Sequence, residues 1–174
     1  MADLPDPDRL KFYSFSVFTQ LNGAVTAGMI HLGDKLGLYS ALAATDEPVT
    51  TAELAERAGL DERWVREWAY NQAAAKLIAV DTGAAPGQER FWLTPEAVAV
   101  LASPDHPAFG MGMFHRFPQT MAALEAMPES FQTGIGHDYD SHGPEGAVGI
   151  ERSFEPWNRH HLIPTVLPAL DGIL

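Results

Sequence analysis

The sequence predicts a mainly α fold: a winged helix-turn-helix with one small β-hairpin as its wing, plus N-terminal and C-terminal helices. Three observations carry this. Apolar residues recur at helical spacing through residues 8–36. Two segments with their own capping residues, joined at Gly59, fill residues 50–78. Two apolar runs then flank a Gly/Pro-rich tip, in the order strand, loop, strand.

The first helix is read from Phe15, Phe18, Asn22, Val25, Met29, Leu32 and Leu36, which step alternately by 3 and 4 residues. That is a heptad seam with Asn22 at an a-type position, where a buried Asn sets register and oligomer state. The seam predicts a homodimer whose interface holds Phe15, Phe18, Asn22, Val25, Met29 and Leu32. Gly23, Gly28 and Gly33 weaken the helix intrinsically but permit close backbone approach. A short helix follows over 38–44.

Thr50 and Glu53 form a capping box that starts the next helix, and Gly59 ends it. Asp61 caps a further helix to about Ile78, with Val65, Trp68 and Ala69 on one side. The run IAVDTGAAPGQERFWLT reads as the hairpin, and Pro95 opens another helix. Pro104, Pro107 and Gly110 break the pattern. Residues 114–127 read as helix and 134–149, with six glycines or prolines, as loop. Helical pattern returns near Ile150, is cut at Pro156, and resumes over 159–174. This gives an N-terminal dimerisation helix region at 1–36, a winged-helix domain at 37–103 and a helical linker or substrate-cap region at 104–174.

The runs TTAELAERAGLDERWVREWAYNQAAAKLI, FWLTPEAVAVLA and GIGHDYD…NRHHLIPTVLPALDGIL together resemble the bacterial class I S-adenosylmethionine (SAM)-dependent methyltransferases with an N-terminal winged-helix domain. The resemblance spans residues 10–174. It implies a parent protein that transfers methyl from SAM to a small molecule, with this half supplying dimerisation and part of the substrate cavity. In that family a segment like LPALDGIL leads into a Rossmann-like SAM-binding domain, whose strand and Gly-x-Gly-x-Gly turn are absent here. Gly110-Met111-Gly112 follows a proline-rich loop, and Gly134-Ile135-Gly136 precedes His-Asp-Tyr-Asp rather than a helix. No cofactor-binding or catalytic residue is therefore assigned. The chain alone is expected to be inactive, and its gene to continue past Leu174 into the missing strand.

The chemistry is consistent with that assignment. With 174 residues and a formal net charge of −12, the chain repels phosphate backbones and anionic membranes. The helix read over residues 61–78 sums to zero over Asp61, Glu62, Arg63, Arg66, Glu67 and Lys76, so no nucleic-acid partner is expected. The chain has no cysteine, no apolar run long enough to span a membrane, and no signal-like N-terminus, which points to the cytoplasm. His137, Asp138, Asp140 and His142 lie close together but in a loop where polar residues are common, and no metal site is assigned. Phe109, Met111, Met113, Phe114 and Phe117 form an aromatic and methionine cluster that reads first as core. The candidates for a substrate pocket are Phe114, His115, Phe117, Tyr139, His160 and His161; the last two, adjacent on a helix, cannot both face one site. The alternative is a winged-helix transcriptional regulator or ligand-binding module, which the neutral helix face disfavours.

Overall fold

The computed structural model describes residues 4–170. Helix α1 (Pro7–Lys35) starts where the Asp6 side chain accepts from the Arg9 N–H, with Pro7 in the first turn and Lys35 in the last. Its first two-thirds stands clear of the rest of the chain. Leu10, Phe12, Tyr13, Phe15, Val17, Phe18, Leu21 and Val25 are each more than half exposed. At 100° per residue these side chains lie around most of the helix, so the apolar surface is broader than the one-sided heptad stripe of the sequence reading.

Only the C-terminal third of α1 docks, through Ile30 and Gly33. Met29, counted in the dimer seam from sequence, packs partly against the chain's own core. Its carbonyl accepts from the Trp68 indole N–H at 3.0 Å. A Cβ on Gly33 would stand 2.7 Å from the Trp68 ring and 2.8 Å from the Tyr39 ring, so glycine is what lets α1 reach them.

Helices α2 (Leu38–Ala43), α3 (Thr51–Ala58) and α4 (Glu62–Ala74) enclose the core with Leu42, Leu54, Val65 and Trp68. The capping box at Thr50 and Glu53, the left-handed Gly59 and the Asp61 cap all form as expected. Tyr39 is buried, donates to Gln72 Oε1 at 2.5 Å, and meets Trp68 edge to face. Burial, and then the Asp34 charge, push its phenol above the ordinary tyrosine range.

Strands β1 (Ala79–Val80) and β2 (Phe91–Trp92) pair antiparallel as the wing, and Val49 bridges to Phe91 on the other side. Helix α5 (Pro95–Ala97), capped by Thr94, runs on as a π-helical turn over Val98–Ala102. Beyond it lie α6 (Met111–His115), α7 (Phe117–Ala123), α8 (Met127–Thr133), a 3₁₀ turn (Tyr139–His142) and α9 (Gly143–His161). A π turn (Leu162–Val166) and a 3₁₀ turn (Pro168–Leu170) follow. Residues 171–174, the end of the expected C-terminal helix, lie outside the described residues, as do residues 1–3 of the N-terminus.

Four expectations are corrected. Helix α4 stops at Ala74 rather than near Ile78, because Lys76 takes a left-handed φ of 61°. The Leu77 N–H then closes on the Gln72 carbonyl and the Lys76 N–H on Ala73, a Schellman cap that turns buried Ile78 into the hairpin. The helix expected over 114–127 is broken at Arg116. Pro118 has no N–H to offer the Phe114 carbonyl, and His31 Nδ1 takes it instead at 2.9 Å.

The segment expected as loop over 134–149 is helical from Gly143, since Pro144 suits a first turn and Gly146 and Gly149 are buried packing positions. The break expected at Pro156 does not occur: α9 runs through it, with the proline buried. Among the described residues no helix is long and apolar enough to cross a membrane.

Candidate functional site

Helices α6 and α9 meet almost backbone to backbone. A Cβ on Gly112 would overlap the Ser153 backbone nitrogen, and one on Gly149 would lie 3.1 Å from the Gly112 carbonyl oxygen. That contact brings three polar faces together. His31, Asp34 and Lys35 share one face of α1, at spacings of three and four. Glu145 and Arg152 are two turns apart on α9, and His115 and Gln119 flank the break between α6 and α7. Together with Pro118 they line a cleft of about 550 Å³.

A single chain of hydrogen bonds crosses this cleft. Arg152 donates to both Asp34 oxygens, at 2.7 and 2.8 Å, and to His115 Nδ1 at 3.0 Å. His115 Nε2 lies 2.6 Å from Glu145 Oε2. A guanidinium can only donate, so Nδ1 of His115 accepts and Nε2 carries the proton toward Glu145. The Asp34 carboxylate holds the Arg152 guanidinium above its ordinary value despite partial burial. The same guanidinium sits over the Phe109 ring, 5.6 Å from its centroid.

His31 is fixed by the same logic. The Phe114 carbonyl can only accept, so Nδ1 of His31 carries the proton and Nε2 is left with a lone pair. Gln119 Oε1 is shielded from solvent and has no hydrogen-bond partner among the described residues.

Of the six pocket candidates read from sequence, only His115 lines this cleft. Phe114 and Phe117 are at the same corner, Phe114 packing on the core and Phe117 close to Gly28 of α1. Tyr139 lines a second cleft of about 370 Å³ with Arg116, His142 and Ile150. His160 Nε2 is 2.7 Å from the Asp105 carbonyl, and the His161 ring rests on Trp157 at 5.0 Å.

The interface candidates Phe15, Phe18, Asn22, Val25 and Leu32 are all exposed on α1. Sequence reasoning missed His31, Asp34, Gln119, Glu145 and Arg152. Their signal was the three-and-four spacing on α1 and the seven-residue spacing on α9, hidden while 134–149 read as loop.

Among the described residues no group of three or more His, Asp or Glu is set to hold a metal ion. Asp138 instead caps the 3₁₀ turn by accepting from the Ser141 N–H, and His142 packs edge to face on Tyr139. Neither Gly110-Met111-Gly112 nor Gly134-Ile135-Gly136 is set as a glycine turn for a cofactor. The only strands among the described residues are two antiparallel residues each, Gly112 is filled by α9, and Gly134 closes α8 at φ 72°. A glycine turn for a cofactor needs a parallel strand before it and an open backbone.

Comparison with known proteins locates this arrangement. Residues 24–103 match the family model of an Rv2258c-like winged HTH domain. No curated protein matches the chain in sequence. Three solved structures share its fold. The mitomycin 7-O-methyltransferase MmcR is 20% identical over 88% of this chain and 46% of its own, with a TM-score of 0.66. The calicheamicin-biosynthesis methyltransferase CalO1, in its SAH-bound form, is 24% identical over 91% and 48%, with a TM-score of 0.60. Human N-acetylserotonin methyltransferase, in complex with SAM, is 16% identical over 99% and 48%, with a TM-score of 0.57. The chain thus spans about half the length of each.

Proposed function

We propose that this chain is the non-catalytic dimerisation and substrate-cap half of a SAM-dependent methyltransferase that acts on a small molecule. One observation carries the reading: nearly the whole chain shares its fold with just under half of each of several methyltransferases. The SAM of the parent protein is assigned to the other half, since neither Gly-x-Gly segment among the described residues follows a parallel strand. The unpartnered aromatic surface of α1 supports a homodimer, and the polar cleft supports a wall of the substrate cavity.

Two measurements test this together. Light scattering of the chain at micromolar concentration is expected to read twice the chain mass. Calorimetric titration with SAM is expected to give no heat of binding. A monomer, or micromolar SAM affinity in this chain alone, overturns the reading.

A further inference from the structure

We propose that Asn22–Gly23, in the exposed part of α1, is a site of spontaneous modification. Gly23 attacks the Asn22 side chain and converts it to aspartate and isoaspartate, at a rate set by local opening of the helix.

The chemistry is internal to the pair. The Gly23 backbone nitrogen gives up its proton to base and bonds to Asn22 Cγ. The Cγ–Nδ2 bond breaks, ammonia leaves, and a cyclic imide remains. Water then opens the ring at either carbonyl. Opening on the side-chain side restores the main chain and leaves aspartate. Opening on the backbone side leaves the chain running through Cγ, as isoaspartate. In sum, an amide and a water become a carboxylic acid and ammonia, with no other reactant.

Glycine after asparagine favours the attack, because no Cβ shields the nitrogen and the backbone turns freely. Asparagine stands at 22, 71 and 158, and only Asn22 precedes a glycine. Both residues of the pair are exposed, and a Cβ on Gly23 would meet nothing within 4 Å.

The closed helix holds the reaction back. In α1 the Gly23 N–H belongs to the helical ladder and points along the axis, away from the Asn22 side chain. The pair therefore reacts when this stretch opens, and the stretch resists opening poorly. Eleven of the fourteen residues 12–25 are Phe, Tyr, Ser, Val, Thr, Asn or Gly, all weak helix formers. Ser16 and Thr19 turn their hydroxyls back onto the Phe12 and Phe15 carbonyls, each at 2.9 Å, in competition with the ladder. None of these fourteen residues is buried, whereas Ile30 and Gly33 further along α1 are. A helix without packing is marginal in water, and segments with few buried contacts open at low cost. Asn71 differs: it lies in α4 beside buried Gln72, whose amide donates to its Oδ1 at 2.9 Å. Asn158 follows buried Pro156 in α9.

The conversion changes what α1 presents. Both products put a carboxylate on the face that carries Phe15, Phe18 and Val25. Isoaspartate also adds a carbon to the main chain, which interrupts the ladder.

The test incubates the full chain and a synthetic peptide of residues 12–35 in mildly alkaline buffer. Tryptic fragments are followed by mass spectrometry for conversion of amide to acid. Asn22 is expected to convert faster than Asn71 and Asn158, and more slowly than in the peptide, where no folded chain holds the helix. Gly23→Ala is expected to abolish conversion over the same period. Ala24→Gly weakens the helix without altering the reacting pair, and is expected to speed conversion about fivefold.

Conversion of Asn22 no faster than that of Asn71 and Asn158 overturns the proposal. So does undiminished conversion in Gly23→Ala, or an Ala24→Gly rate equal to the parent's. Light scattering on fresh samples reports the dimer separately, so this site and the methyltransferase reading stand or fall independently.

Discussion

Arg152 of α9 donates two hydrogen bonds to Asp34 of α1 across 118 positions of sequence, and the Asp34 side chain is only 13% exposed. Removing the guanidinium leaves a largely buried carboxylate with no counter-charge. Arg152→Met is therefore expected to destabilise the chain by about 2 kcal/mol, less than a fully buried pair because Arg152 remains partly solvated. In the double variant Asp34→Leu/Arg152→Met the loss should be smaller than the sum of the single losses, since neither charge is stranded. Urea denaturation of the four proteins measures this, and additive losses would contradict it.

The glycines separate into those that hold helices together and those that do not. Gly112→Ala forces α6 off the Ser153 backbone. It should cost about 3 kcal/mol and disturb the His115 contacts with Arg152 and Glu145. Gly23 has nothing within 4 Å of a Cβ position, in the exposed part of α1. Gly23→Ala should raise helix stability by about 0.5–1 kcal/mol within one chain. If Gly23 is a close-approach point between copies, the same change weakens the dimer, and thermal melts at two protein concentrations tell the two apart.

The winged-helix core was readable because its signals are local. Thr50, Glu53, Gly59, Asp61 and Thr94–Pro95 each fix a helix end through groups within three residues. The later half was misread where a partner distant in sequence decides the outcome. Pro118 breaks a helix that apolar spacing alone would continue, and His31, 83 residues earlier, is the distant side chain that bonds the carbonyl it strands. Gly146 and Gly149 look like loop residues until α6 is laid against them. The cleft was invisible for the same reason: its residues come from three helices, one of which read as loop.

The capping box should give stability a specific pH dependence. Its hydrogen bonds from Thr50, first the backbone N–H and then the side chain, hold Glu53 below the ordinary glutamate value. A carboxylate whose folded value lies below its unfolded one stabilises the fold above the unfolded value and loses that contribution as pH falls through the folded one. Thr50→Ala is expected to cost about 1 kcal/mol near neutral pH. The gap from the parent chain should narrow as pH falls through and below the ordinary glutamate range, as Glu53 protonates in both proteins. Denaturation at several pH values reads it, and a pH-independent gap would show that Glu53 takes no part.

Helix α4 occupies the place of a recognition helix, yet its cations are engaged. Arg66 is held by both Glu62 oxygens, and the Arg63 guanidinium lies over the Trp64 ring at 5.9 Å. A surface that neutralises few phosphates gains little from counterion release. Gel-shift assays with duplex DNA at physiological salt are expected to show no retardation. Submicromolar binding that weakens steeply with salt would favour a regulator over the methyltransferase half.

The cluster of exposed aromatics on α1 gives the sharpest test of assembly. Phe15 and Phe18 are 77% and 66% exposed on α1 and touch nothing in their own chain that would bury them. Clusters of large aromatics this bare are costly in water, and buried aromatics dominate interface energetics. Phe15→Asp/Phe18→Asp is expected to abolish the dimer, weakening it at least 100-fold, about 3 kcal/mol, while leaving the winged-helix core folded.

Met29→Asp should behave differently. Met29 packs partly against the chain's own core, so the substitution lowers unfolding stability even in a monomer. Light scattering and urea denaturation run on both variants separate an interface from a core. Should the Phe15→Asp/Phe18→Asp protein keep the parent mass, α1 is not the dimer contact, and the aromatic surface has some other partner.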